Sequence, residues 1–457
     1  MSIRLHIIGV IENVIGTHRN LILAKLEGGP LAETGVIAGM SGSPVYIDGK
    51  LIGAVSYALG SFPKEPIAGI TPIAEMIEAT ALAVPRAPGA QVKVDLPLGP
   101  EGLAAAFRKA LNWNRPFADR ASDATLLSGA VPGLGREVAT MLRPIATPLS
   151  MSGFDPGVAD ALGAAFRDAG FIPMGGGTPL RAGDMPFDGP LKPGDAVGVT
   201  FVSGDLELGA TGTVTHIDGD RVYAFGHPMY NLGPTEFPMT RAYVYTVMPS
   251  LFSSAKLSST NDVIGTFLQD RATAIAGRLG GGPSLLPVTL TLDSPRGGRR
   301  QFKFSVVRDQ MFTPLMTYSA LVSTLGSYER QFGTTTYSVK GALTLGKYES
   351  VNFDNVFTGD GASSSASAYV VAPLTALVNN DFEDAQLRSL DLTMTSIDQP
   401  KTATIERAWI DDPRPRPGRT VPVKVLLRTY RGDEIMQTIP ISIPPNASGN
   451  LAVMVAD

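Results

Sequence analysis

Cysteine is absent from all 457 residues, which removes thiol nucleophiles, thiolate metal sites and disulfides together. Histidine is nearly as scarce, with only His6, His18, His216 and His227. These form no HExxH pair, and no acidic loop has calcium-binding spacing, so neither a metal nor another cofactor is expected. Charge of one sign is missing too. Lys and Arg number 38 against 42 Asp and Glu, without a long run of either, so nucleic acid and anionic membrane surfaces are not expected partners. Long apolar runs are also lacking. YVVAPLTALV, from Tyr369 to Val378, falls well short of the roughly 20 residues that span a bilayer, and no transmembrane segment is expected. The start, MSIRLHIIGVIENVIG, has no secretory-leader pattern and opens in a strand. Either a chain trimmed from a longer precursor or one whose start lies late would read this way, and the cell envelope or the outside of the cell is the expected compartment.

What is plentiful is glycine, at 50, and proline, at 36, set between short runs of Val, Ile, Leu and Thr. That alternation of turn and strand signals predicts a mainly β protein. Four regions follow. Residues 1–95 read as strands with one helix, which Thr71 caps and Pro72 begins. Residues 96–188 are a linker and a helical insert. In it DPGVADALGAAFRDAG has Asp155 as cap, Pro156 as first residue, Val158, Leu162 and Phe166 on one face, and Gly170 as stop. Strands return over 189–360, where RGGRRQFK reads as the turn of a hairpin rather than a basic patch. Residues 361–457 read as a linker, with GDGASSSASA as a surface loop, and then a C-terminal β-sandwich of immunoglobulin or fibronectin kind. The sandwich carries no catalytic cluster and is a candidate surface for a protein partner.

The chemistry concentrates at two places. GMSGSP, before the hairpin PVYIDGKLIGAVSY, presents Ser41 in a glycine-relieved turn. There the N–H groups of Gly39 and Ser41 could form an oxyanion hole, while Pro44 fixes the exit. Ser43 is the less favoured nucleophile, crowded by its neighbours. A serine hydroxyl needs a base, and His227 in AFGHPMYNLG sits at a strand end after a second hairpin, TVTHIDGDRVYAFGH. The two hairpins echo one another, with Asp48 and Gly49 matching Asp218 and Gly219. Candidates for a third, acidic member are Asp262 downstream of the histidine and Glu27 and Glu33 before the serine. SSAK, holding Ser253 and Lys256, mimics an SxxK motif but lacks a later KTG, and reads as chance.

These residues resemble the SpoIVB (stage IV sporulation) serine peptidase family. GMSGSPVYIDGKLIGAVSY is similar to its serine motif, AFGHPMYNLG to its histidine motif, and DVIGTFLQDRATAIAGRLG to its Ile-Gly-Thr segment, together covering about residues 1 to 80 and 190 to 315. The resemblance implies a chymotrypsin-like double β-barrel and a serine endopeptidase acting on a protein or peptide substrate, with Ser41 as nucleophile and His227 as base. In that family the histidine precedes the serine; here the order is reversed, as a circular permutation of the barrels would give. A non-catalytic envelope or scaffold binding protein that keeps the fold is the rival expectation.

Overall fold

A computed structural model describes residues 3–59, 65–81, 96–112, 142–175, 189–251, 253–295, 297–328, 335–380, 382–412, 414–449 and 451–456. The molecule is mainly β, as its composition predicts, and contains a closed six-stranded barrel with further sheets beside it.

The first sheet starts with the hairpin of Arg4–Gly16 (β1) and Arg19–Glu27 (β2). A single helical turn, Leu31–Thr34 (α1), leads to the serine turn. Ser43–Ile47 (β3), Lys50–Leu59 (β4) and Ile67–Pro72 (β5) complete a sheet of order β1-β2-β5-β4-β3. Its pairings run in a line and not in a ring among the described residues, so the closed barrel expected around Ser41 is an open sheet. In the β3–β4 hairpin Ile47 pairs with Lys50. Asp48 and Gly49 take φ of 48° and 78°, the signs a type I′ turn demands.

β5 passes directly into the helix Ile73–Thr80 (α2). Thr71 does not cap it. Pro72 holds the N-cap position without a side-chain bond, and Thr71 stays in the strand. The helical insert comprises Pro100–Asn112 (α3), the short strand Leu142–Pro144 (β6), Thr147–Ser152 (β7), Pro156–Asp168 (α4) and Phe171–Gly175 (β8). Here the sequence signals hold: Asp155 caps α4 through the N–H of Gly157 at 2.9 Å, and Val158, Leu162 and Phe166 are buried. Gly170 ends the helix with φ 86°.

The barrel is made of Ala196–Gly204 (β9), Glu207–Asp218 (β10), Arg221–Ala224 (β11), Gly233–Met248 (β12), Ala255–Arg271 (β13) and Ala274–Leu279 (β14). The ring runs β9-β12-β13-β14-β11-β10 and closes where β10 pairs again with β9. Val199, Val214, Phe225, Phe237, Met239 and Phe267 fill it. In its β10–β11 hairpin Asp218 pairs with Arg221, so Gly219, at φ 59°, is the first central residue. The turn is thus offset by one residue from the Asp48–Gly49 turn, although the two sequences align at Asp-Gly.

From β9 the sheet continues through Gly298–Val306 (β16) and Leu286–Ser294 (β15), the hairpin expected around RGGRRQFK, with Ser294 opposite Gly298. Leu387–Ile397 (β19), Thr335–Leu345 (β17) and Val351–Gly359 (β18) extend it. Two helices pack on these strands, Phe312–Tyr328 (α5) and Ala362–Val378 (α6). The GDGASSSASA stretch is therefore the start of a helix and not a loop; Ala366 and Ser367 are fully buried in it. The expected sandwich is also revised. Residues 362–397 belong to the larger sheet and its helix, and one three-stranded sheet follows, Ala403–Ile410 (β20), Thr420–Thr429 (β21) and Glu434–Ser442 (β22). Residues 451–456 form no strand. No described helix is long and apolar enough to cross a membrane.

Candidate functional site

Ser41 and His227 come from different sheets to one junction, held by contacts between β10 and the serine turn. Thr213 donates its N–H to the Ser41 carbonyl at 3.0 Å and its hydroxyl to the Gly39 carbonyl at 2.9 Å. The Thr215 hydroxyl donates to the Gly42 carbonyl at 2.7 Å. The threonines of ATGTVTHID alternate along β10, and Thr211, Thr213 and Thr215 are all buried. Polar residues at every second position of a strand, on the face opposite the barrel-filling Val214, were the sequence signal for this seam, since buried hydroxyls need partners. At Gly42 only glycine fits. Its φ is 93°, and a Cβ there would lie 2.0 Å from the Thr213 oxygen and 2.6 Å from the Phe225 nitrogen.

The histidine is presented by a strained turn. Phe225, an aromatic residue, has φ 67°, and Gly226 follows at φ 71°; positive φ at a bulky residue persists only where its surroundings over-determine it. The surroundings are the buried Phe225 ring inside the barrel and a pair of hydroxyls from the first sheet. Thr71 donates to the Gly226 carbonyl at 2.7 Å, and Ser56 and Thr71 share a hydrogen bond of 2.6 Å. Both hydroxyls are fully buried.

Ser41 is 0% exposed and His227 3%. Ser41 Oγ and His227 Nε2 are both buried without a hydrogen-bond partner. Nδ1 lies 2.8 Å from the carbonyl oxygen of Pro228, and a carbonyl can only accept, so Nδ1 carries the proton and Nε2 of the neutral ring is left as an acceptor. Burial lowers the ring's pKa to about 4, and the Pro228 and Ile145 carbonyls facing it oppose that only in part. The imidazole is thus neutral at physiological pH.

The carboxylate behind the histidine is Asp270, not Asp262. Asp262 is exposed on β13, and Glu27 and Glu33 are exposed as well. Asp270 is 1% exposed and accepts the N–H groups of Met229 and Tyr230 at 2.8 Å each and of Leu232 at 3.3 Å. It pins the loop that follows His227 without touching the ring. Burial raises its pKa to about 6 against those N–H groups. The only sequence hint was an acid inside the strand FLQDR, because its donors are backbone groups that no residue type announces.

The oxyanion donors also divide. The Gly39 N–H is engaged, donating to the Ala146 carbonyl at 3.1 Å. Lys256 enters as an unexpected neighbour. Its backbone N–H donates to the Ala38 carbonyl at 3.1 Å, its chain runs past Gly39, and its amine donates to the Thr213 hydroxyl at 3.0 Å. Burial lowers that amine to about 8. Ser253 of the same SSAK stretch stays apart. His6 and His18 are exposed, and His216 stacks on Tyr223. Ser43 bonds the Met40 carbonyl at 2.6 Å and shapes the turn instead of competing for the site.

Comparison with protein-family models, curated proteins and solved structures found no match.

Proposed function

We propose that the protein is a serine endopeptidase of the SpoIVB type, with Ser41 as nucleophile and His227 as general base. The observation that carries this is that Ser41 Oγ and His227 Nε2, on turns that meet at β10, are two of the seven buried side-chain polar atoms among the described residues that lack a hydrogen-bond partner, and so are not bonded to each other. An unsatisfied buried hydroxyl costs about 1–3 kcal/mol, and a catalytic role is one reason for a protein to retain that cost. The hairpin beside each residue supports reading the two sheets as related halves of a permuted chymotrypsin-like fold, in which only the histidine-bearing sheet closes into a barrel and the two turns differ by one residue.

In this reading Ser41 Oγ bonds to the carbonyl carbon of a peptide as its proton passes to Nε2, and the negative oxygen faces the Ser41 N–H. The imidazolium then gives that proton to the leaving amine as the C–N bond breaks. Water, deprotonated by the same nitrogen, releases the acyl group and restores the Ser41 hydroxyl. The Pro228 carbonyl holds the tautomer, the task a carboxylate performs in a triad. Asp270 acts one layer further out, by fixing the loop.

The rival, a binding protein without catalysis, draws support from the full burial of Ser41. A fluorophosphonate probe separates the two. Labelling of the wild type that disappears in Ser41→Ala and falls sharply in His227→Ala is expected; labelling that persists in Ser41→Ala overturns the assignment.

A further inference from the structure

Residues Leu142 to Ala146 make the contacts of a bound peptide. β6 pairs antiparallel with the far end of β4, Leu142 opposite Leu59, Arg143 opposite Ala58 and Pro144 opposite Tyr57. β3 has stopped pairing with β4 by Val55, so this part of the strand offers a vacant edge. The ladder continues one step beyond β6, where the Ile145 N–H donates to the Ser56 carbonyl at 2.9 Å. The Ile145 carbonyl then lies near the His227 ring without a hydrogen bond to Nε2, and the Ala146 carbonyl takes the Gly39 N–H beside the nucleophile. One extended stretch thus touches a sheet edge, the base and the serine turn in succession. Peptide recognition by strand addition has this form, with main-chain bonds along an edge and alternate side chains in pockets.

The pocket is filled as well. Ile145 is buried in the cluster of Ile37, Met40 and Val55. Pro144 and Ala146 wall a groove of about 690 Å³ whose other side includes Leu31, Ala38 and Ser254. Ala38 leads directly into the serine turn, so moving this wall would open the groove towards Ser41.

We propose that Leu142–Ala146 occupies in cis the groove that takes a substrate peptide, and that the groove accepts an extended segment with a β-branched aliphatic residue where Ile145 now sits. The word substrate rests on the peptidase reading; the occupancy does not. Departure of the stretch would free the Gly39 N–H and uncover His227 in one movement, so a covered site becomes a complete one.

The test uses the full chain and a fluorescein-labelled peptide, Leu-Arg-Pro-Ile-Ala-Thr. Ile145→Asp places a charge in the apolar pocket and should expel the stretch. By anisotropy the variant should bind the peptide about tenfold or more tighter than the wild type, whose groove is already filled. Ile145→Gly, which adds no charge, carries the measurement if the aspartate variant does not fold. Equal affinity in wild type and folded variant, or no binding by either, overturns the proposal. Hydrogen exchange on the wild type needs no variant: the Gly39 and Ile145 amides should exchange together, and independent exchange also overturns it. Fluorophosphonate labelling separates the two claims. Faster labelling at Ser41 in the variant supports both, whereas peptide binding with no labelling keeps the occupancy and removes the peptidase reading.

Discussion

Thr71 on β5 and Gly226 beside His227 are joined by a hydroxyl-to-carbonyl hydrogen bond of 2.7 Å. It is a direct polar tie from the serine-bearing sheet to the strained turn that presents the histidine. Thr71→Val keeps the shape and removes the donor, leaving the Gly226 carbonyl without it, while the Ser56 hydroxyl keeps the Gly69 carbonyl at 3.1 Å. A loss of about 1–3 kcal/mol in urea denaturation is expected, with slower fluorophosphonate labelling. Unchanged stability would mean that the clamp contributes nothing.

The neutral, buried His227 makes stability depend on pH. Its folded pKa of about 4 lies below the ordinary 6.5, so the unfolded chain binds its proton first as pH falls. This contribution is complete above 6.5 and is lost progressively down to 4, costing about 2 kcal/mol by pH 5. In catalysis, the acid limb of a rate profile should fall near pH 4. A limb near 6.5 would show a solvated ring.

Asp270 has the opposite sign. Its folded pKa of about 6 lies above the ordinary 3.8, so its contribution is complete below 3.8 and is lost as pH rises through 6. The two groups offset one another in the wild type. Denaturation of His227→Asn should therefore reveal stability that rises as pH falls from 6 to 4, and Asp270→Asn the reverse trend. Asp270→Asn should also lose about 2–4 kcal/mol at neutral pH, because the amide turns a donor toward backbone N–H groups.

Gly42→Ala tests the seam between the sheets. With a Cβ forced to 2.0 Å from the Thr213 oxygen, a loss above about 4 kcal/mol is expected, seen as failure to obtain folded protein. Ser43→Ala, at a position that shapes the turn only locally, should stay folded and lose about 1 kcal/mol.

The sequence marks residues well and partners poorly. Ser41 and His227 stand out because glycine and proline flank each, and their hairpins are legible from Asp-Gly. The α6 helix hides because its residues are small or apolar all round, giving no polar face for a 3.6-residue period to reveal. Alternation in VPVKVLL and TIPISI identifies strands of the C-terminal sheet, yet says nothing about whether a second sheet covers them. Asp270 and Lys256 belong to the site through backbone groups and a threonine, contacts that leave no motif. The approach of Ile145 depends on the pairing of β6 with β4, two strands far apart in the chain, which is a property of topology alone.

The hold of β10 on the serine turn also orders events in time. Thr213 and Thr215 are made long after Ser41 during synthesis, and the contacts that set the turn close a very long loop. Pairings of that kind form late and slowly. The first sheet, emerging alone, would carry its serine on an unsupported turn and without a base. Under the peptidase reading, a serine that precedes its histidine in the chain would keep the nascent first sheet chemically silent until the barrel behind it has closed.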